Sequence, residues 1–178
     1  MYIGERKIGN QMNTAFFKQH DDPRLAEVLH LLNPPPNYAL WHGGPTILQC
    51  VKDIEHEQAI WAPPGRHSIW HFALHITYWK YVVRQRITGT TLSSFSRQPE
   101  NFPNPPDIPS QLLWKADIDL MATENRLLIE TIQQLDPKSL DDEVSGGHRL
   151  LDLIMGIVTH DAYHVAQIQL MKRLYQDR

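Results

Sequence analysis

Apolar residues recur at helical spacing along most of the chain, and proline-rich stretches separate the periodic segments. The clearest segment begins at Ser68, a favoured N-cap residue, and ends near Gly89. Two more long helices are predicted at about 109–135 and 148–175. Shorter helices are predicted at 23–32 and at about 45–53, the second extending or restarting as far as residue 61. An alternating β pattern is almost absent.

Each long helix has an apolar stripe that should face a common core. In the first it comprises Ile69, Phe72, Ile76, Trp79 and Val83; in the second Leu113, Ala116, Leu120 and Leu127; in the last Leu150, Ile154, Ile157, Ile168 and Met171. Three long helices and a shorter one predict an all-α fold, a four-helix bundle of the up-down type. The connections at 90–108 and 136–147 are long enough to allow a non-sequential order of the helices. We expect residues 41–178 to form the bundle and residues 1–40 to be a partly helical or irregular N-terminal extension.

Composition narrows the classes of function. Of the 178 residues, 42% are hydrophobic and 21% charged, an ordinary globular balance. The net charge of −3 and the lack of a basic run argue against nucleic acid or an anionic membrane as a partner. No stretch approaches the roughly 20 apolar residues that span a bilayer, and Met1–Asn10 lacks the apolar core of a signal peptide. With Cys50 as its single cysteine the chain has no internal disulfide, so we expect a cytoplasmic protein.

Ionisable residues interrupt the apolar stripe of the last helix. Asp161 and His164 occupy the stripe positions between Ile157 and Ile168. Burying either group without a partner costs several kcal/mol, so each needs a specific role. His160 lies one turn before His164 on the same flank, and two imidazoles four residues apart can bind one metal ion. Asp161 has two open roles: a hydrogen bond that orients a ligating imidazole, or a salt bridge elsewhere.

A third inward histidine is expected from the helix that begins at Ser68. Of its histidines at 67, 71 and 75, His75 falls nearest the apolar stripe. The other seven histidines are interpreted as surface, cap or loop residues: His20, His30, His42, His56, His67, His71 and His148. A lone buried histidine is more often a hydrogen-bonded core residue, but three from two helices favour a divalent metal site. Three imidazoles suit Zn²⁺ and are acceptable to Ni²⁺, Fe²⁺, Cu²⁺ or Mn²⁺, and they leave a coordination position open, as catalytic sites do.

Two segments resemble the DinB-like, YfiT-type family of metal-binding bundles. Residues 68–76 with Trp79 resemble the family's second-helix motif, and residues 160–168, a His-x-x-x-His followed by Gln-Ile, resemble its last-helix motif. Residues 41–46 are similar to the lead into its first helix, so the resemblance covers most of 41–178. The first forty residues depart from the family pattern, and Ala166 stands where the family frequently has Gly.

The resemblance implies a four-helix bundle, commonly a homodimer, with a three-histidine zinc or nickel site near one end. The family ligands fall on His75, His160 and His164. Members of known activity include metal-dependent transferases and isomerases that use a low-molecular-weight thiol. A thiol S-transferase is therefore the expected function. Two alternatives stay open: a hydrolase in which the metal activates water, and a non-catalytic, dimerising, stress-related metal-binding bundle. DNA binding is disfavoured by the net charge.

Overall fold

Six α-helices account for most of the residues described by the computed structural model, which are 21–35, 44–89, 94–144 and 146–178. The helices are α1 (Pro23–Leu32), α2 (Ile47–Val51), α3 (His56–Ile60), α4 (Ile69–Thr88), α5 (Gln111–Gln133) and α6 (Leu150–Gln176). The all-α fold class is therefore confirmed. Of the predicted N-terminal extension, 23–32 forms α1 as expected, and residues 1–20 and 36–40 lie outside the described residues.

Local sequence explains where α4 begins and ends. The Ser68 hydroxyl accepts a hydrogen bond from the backbone N–H of His71, and the His71 side chain accepts from the backbone N–H of Ser68. At the other end Gly89 adopts a left-handed conformation with φ of 63°, which glycine tolerates without a steric penalty. These caps fix the register of the helix that carries His75.

α4 and α5 run in the same direction. Trp70 and Trp114, near the two N-termini, pack with their ring centroids 5.2 Å apart. Arg84 and Glu124, further along each helix, form a salt bridge of 2.8 Å. The connection before α5 therefore returns to the N-terminal end of α4, and its length, noted in the sequence, allows this return. The parallel direction of α4 and α5 is therefore one of the non-sequential arrangements that the long connections were expected to allow.

α6 runs antiparallel to α4 and lies against most of its length. Phe72, in the first turn of α4, lies 5.6 Å from His164 between ring centroids. Val83, near the end of α4, belongs to the same buried cluster as Leu153, near the start of α6. This antiparallel pairing positions the candidate site.

Among the described residues, the core consists of two hydrophobic clusters, one towards each end of the bundle. The first joins α2 and α3 to the N-terminal halves of α4 and α5 and the C-terminal half of α6. The second joins α1 to the opposite halves of the three long helices. The short helices therefore cover the two ends of a frame made by α4, α5 and α6.

The buried face of α5 differs from the predicted one. Its buried residues are Trp114, Asp117, Met121, Glu124, Asn125, Leu128, Ile129 and Ile132. Leu113, Leu120 and Leu127 are only partly buried, and Ala116 is exposed. The buried face was missed because it contains three polar residues. Two of them are paired, Asp117 with Arg97 and Glu124 with Arg84.

A small β-hairpin precedes α6. Glu143–Val144 pairs antiparallel with His148–Arg149, so α6 begins at Leu150. Strands of two residues are too short to show an alternating pattern, and for that reason the sequence did not predict them. Within the described ranges, no helix combines the length and the apolarity needed to cross a bilayer.

Candidate metal centre

The antiparallel pairing of α4 and α6 brings the three predicted histidines together. The Nε2 atom of His160 lies 3.1 Å from Nε2 of His75 and 3.1 Å from Nε2 of His164. His75 and His164 are each 5% exposed, and His160 is half-buried. Imidazole nitrogens from α4 and from α6, 85 residues apart in the sequence, therefore converge on one point.

The other histidines of the described segments lie outside this cluster. His71 caps α4, and the exposed His67 stacks on Phe102 with ring centroids 4.4 Å apart. His56 lies 3.1 Å from the Glu57 carboxylate, and His148 is exposed in the hairpin. His30 lies on α1, whereas His20 and His42 fall outside the described residues.

Hydrogen bonds on the outer side of two rings set their tautomers. Nδ1 of His75 donates to the backbone carbonyl of Asn101, and Nδ1 of His164 donates to the side-chain oxygen of Gln167 at 2.6 Å. Because these oxygens only accept, both Nδ1 atoms carry the hydrogen. The Nε2 atoms of His75 and His164 therefore present lone pairs to the cluster.

This donor set fits a bound cation. Without a bound cation, the Nε2 lone pairs of His75 and His164 both face Nε2 of His160. That nitrogen carries at most one hydrogen, so it donates a good hydrogen bond to only one of the two lone pairs. The Nδ1 atom of His160 is buried and has no hydrogen-bond partner among the described residues. Zinc–nitrogen bonds of roughly 2.0–2.1 Å in a tetrahedral arrangement put ligand nitrogens about 3.3 Å apart. The observed 3.1 Å separations are close to that spacing.

Burial favours the neutral form of all three imidazoles. Desolvation lowers the pKa of His75 to about 4, although the hydrogen bond to Asn101 opposes this. Desolvation, with His164 and His75 nearby, lowers the pKa of His160 to about 3. Desolvation also lowers the pKa of His164, opposed by the bond to Gln167 and by the charge of Asp161. Neutral imidazole is the form that binds a metal.

Asp161 forms a salt bridge across the two helices. Its Oδ2 lies 2.5 Å from Nζ of Lys80, whose side chain is 0% exposed. Its Oδ1 has no hydrogen-bond partner among the described residues. Burial raises the pKa of Asp161, and the Lys80 ammonium opposes that rise. Of the two roles left open for Asp161, the structure shows the salt bridge.

The sequence interpretation missed Lys80 as a core residue. A signal was present, because Lys80 follows Ile76 by four residues on a helix whose neighbouring positions are apolar. Lys80 and Asp161 each interrupt the apolar surface of a long helix, and their opposite charges would have predicted a salt bridge between the two helices.

The segment before α5 supplies the outer wall of the cluster. Phe102 stacks on the ring of His75, with centroids 3.8 Å apart and an interplanar angle of 13°. The Trp79 indole N–H donates to the side-chain oxygen of Asn101 at 2.9 Å. Asn101 has a φ of 69°, a left-handed conformation that asparagine tolerates better than most residues. No pattern in this proline-rich segment marked these contacts, since they depend on the return path of the chain.

Comparison with known proteins places the chain in a family. No curated protein and no solved structure matches it. The model of the DinB superfamily matches residues 44–168, which is more than half of the chain and contains all three clustered histidines. The chain therefore belongs to the DinB superfamily.

Proposed function

We propose that the chain binds one divalent metal ion, zinc or nickel, through His75, His160 and His164, and transfers a low-molecular-weight thiol to an electrophile. The convergence of three neutral imidazole nitrogens is the observation that carries the proposal. This function would place the chain in the metal-binding, YfiT-type part of its superfamily.

The ligand set supports a catalytic use. Three protein ligands leave a coordination position free for a substrate, whereas structural zinc sites use four. When bound, such an ion stabilises a thiolate at neutral pH. The thiolate sulfur forms a bond to the electrophilic carbon while the leaving group departs with its electron pair, and the thiol proton passes to solvent.

The protein's own thiol is unsuited to this reaction. Cys50 is fully buried between α2 and α6, and burial raises its pKa to about 11. A buried, protonated thiol is a poor nucleophile. The nucleophilic sulfur would therefore come from a cosubstrate.

Lys80 and Asp161 support the site by holding α4 against α6. Asp161 directly follows His160, and its salt bridge to Lys80 spans the same helix pair as the histidines. Phe102, stacked on His75, shields the cluster from solvent on one side. These contacts keep the imidazoles in place before a metal arrives.

Metal analysis of the purified and zinc-reconstituted protein tests the proposal. We expect about one ion per chain in the wild type, a large loss in His164→Ala, and no change in His56→Ala, a control on α3 outside the cluster. A wild type without stoichiometric metal after reconstitution contradicts the proposal.

Activity is tested separately on the loaded protein. Monochlorobimane, which becomes fluorescent on forming a carbon–sulfur bond, is offered with glutathione, cysteine and other small thiols. Metal-dependent conjugation absent from His164→Ala supports thiol transfer. Ester hydrolysis without thiol consumption would favour the hydrolase alternative. The absence of both activities would favour a non-catalytic bundle.

We also propose that the chain forms a homodimer through the outer face of α6. Met155, Tyr163 and Leu170 are 41%, 63% and 54% exposed and share this face with Ala162 and Ala166. From Met155 to Leu170 the exposed positions of α6 carry no charge, which is unusual for a solvated helix.

Light scattering during size-exclusion chromatography tests the dimer. We expect twice the 20.7 kDa chain mass for the wild type and the monomer mass for Leu170→Glu. Leu112→Glu, which changes a 78% exposed leucine on α5, should stay dimeric. A monomeric wild type at high protein concentration contradicts the dimer.

A further inference from the structure

A cavity of about 190 Å³ runs between α4 and α6 from the histidine cluster towards the hairpin. Its lining residues are Trp79, Val83, His148, Asp152, Leu153, Gly156, Ile157 and His160. His160 lies at one end and His148 at the other. Along α6 the eight residues from Asp152 to His160 correspond to about 12 Å.

We propose that this cavity binds a small substrate with an apolar body and an anionic end, the anion being held by Arg86 and His148. The reactive end of the substrate would lie at the histidine cluster. That orientation rests on the proposed function, whereas the binding of the body and the anion does not.

The middle of the cavity suits an apolar group of limited size. Trp79 and Val83 of α4 face Leu153 and Ile157 of α6 across it. An apolar cavity of roughly 150 Å³ holds a benzene molecule. A volume of about 190 Å³ therefore accommodates a six-membered ring with a short chain.

Gly156 lines the cavity at an exposed position of α6. Glycine inside a helix is unfavourable relative to alanine, so its position in the middle of α6 needs a reason. A lack of room for a side chain is not the reason for this glycine, because a Cβ added at Gly156 would have no heavy atom of the described residues within 4 Å. Because Gly156 lines the cavity and is surrounded by open space, we expect a leucine at this position to block the cavity.

Arg86 lies beside the hairpin end of the cavity, next to the lining residues His148 and Trp79, and is not itself a lining residue. A Cβ on Gly146 would lie 3.7 Å from the Arg86 guanidinium and 3.6 Å from the His148 ring, so these two groups are neighbours. Arg86 also lies over the ring of Trp79, 5.9 Å from its centroid. Among the residues that the structure describes, no carboxylate forms an ion pair with Arg86.

Asp152, the acidic residue among the described residues of the cavity lining, already has a partner. Asp152 accepts from the Arg149 guanidinium at 2.7 Å and 3.2 Å, which offsets its repulsion of an incoming anion. The Arg86 guanidinium offers paired N–H donors of the kind that bind carboxylates in a bidentate manner. The charge at this end therefore favours an anionic ligand group.

Isothermal titration calorimetry with phenylbutyrate and its neutral amide, phenylbutyramide, tests the site in metal-free and zinc-loaded protein. We expect the wild type to bind the carboxylate about tenfold more tightly than the amide, the effect of one charge-assisted contact. Arg86→Gln should remove that preference, and Gly156→Leu should abolish binding of both probes. Arg126→Gln on α5 and Ala116→Leu on α5 are the matched controls, because both residues are exposed there, and each should bind as the wild type does.

Metal content and thermal melting of the same variants separate the two proposals. Gly156→Leu should melt at or above the wild-type temperature, so a loss of binding would not reflect unfolding. Equal binding of the two probes, or an unchanged preference in Arg86→Gln, overturns the anionic site, and binding that survives Gly156→Leu overturns the cavity. Failure to load zinc while phenylbutyrate still binds would instead contradict the proposed function alone.

Discussion

Replacing one member of the Lys80–Asp161 pair should destabilise the protein strongly. Lys80 is fully buried, and the Asp161 side chain is 14% exposed. Either group left alone keeps its desolvation cost and loses its counter-charge, which in comparable buried pairs costs about 3–5 kcal/mol. At roughly 2–4 °C per kcal/mol for a chain of this size, Lys80→Met or Asp161→Leu should lower the melting temperature by about 10 °C.

The double replacement Lys80→Met with Asp161→Leu separates the cost of an orphaned charge from the value of the pair. With both charges removed, the free energy of unfolding should return to within about 1–2 kcal/mol of the wild type, because apolar side chains of similar size can replace a buried ion pair. The interaction energy of this double-mutant cycle should therefore be large.

Urea denaturation in the presence of a chelator measures these values without a contribution from metal binding. Arg126→Met is the matched control, since its salt bridge to Glu130 is exposed and should contribute less than about 1 kcal/mol. Single replacements of Lys80 and Asp161 that cost no more than this control would refute the role assigned to the pair.

Two further results are expected. In metal-free protein, the free energy of unfolding should fall by a few kcal/mol as the pH drops from about 6.5 towards 4. Histidines of the unfolded chain bind protons in this range, whereas His75 and His160, with their pKa lowered to about 4 and about 3, stay neutral in the folded protein. Denaturation at several pH values measures this fall, and a His75→Gln/His160→Gln variant with the same pH dependence would contradict the prediction. Asn101→Val should weaken zinc binding by roughly 10–100-fold in a chelator competition, because a β-branched residue resists the φ of 69° that aims the Asn101 carbonyl at His75. Asn101→Gly, which permits that φ, should lose less affinity, and equal losses in the two variants would show that the backbone conformation is not the cause.

Local sequence predicted the long helices and identified the three histidines of the cluster. Capping by Ser68 and the apolar period that follows it define α4, and the spacing of His160 and His164 follows from the helical repeat alone. The sequence alone predicts these features because they depend on residues within a few positions of one another. His75 was identified by its phase in α4, although its convergence with the pair requires the two helices to be neighbours.

Only the tertiary structure decided what surrounds those residues. The buried face of α5 was wrongly predicted because Asp117 and Glu124, as charged residues, were expected at the surface. Their salt bridges to Arg97 and Arg84, which allow them to be buried, are visible only in the structure. The pairing of Lys80 with Asp161 spans 81 residues of sequence and needs the antiparallel contact of α4 with α6.

The wall of the site and the cavity depended on the path of the chain. The return of residues 94–110 along the bundle makes α4 and α5 parallel and brings Asn101 and Phe102 onto His75. Helical periodicity describes one helix at a time, so it cannot specify how helices separated by a long connection are ordered. The sequence by itself therefore determined which three histidines could meet, and the packing of α4 against α6 determined that their nitrogens lie about 3 Å apart.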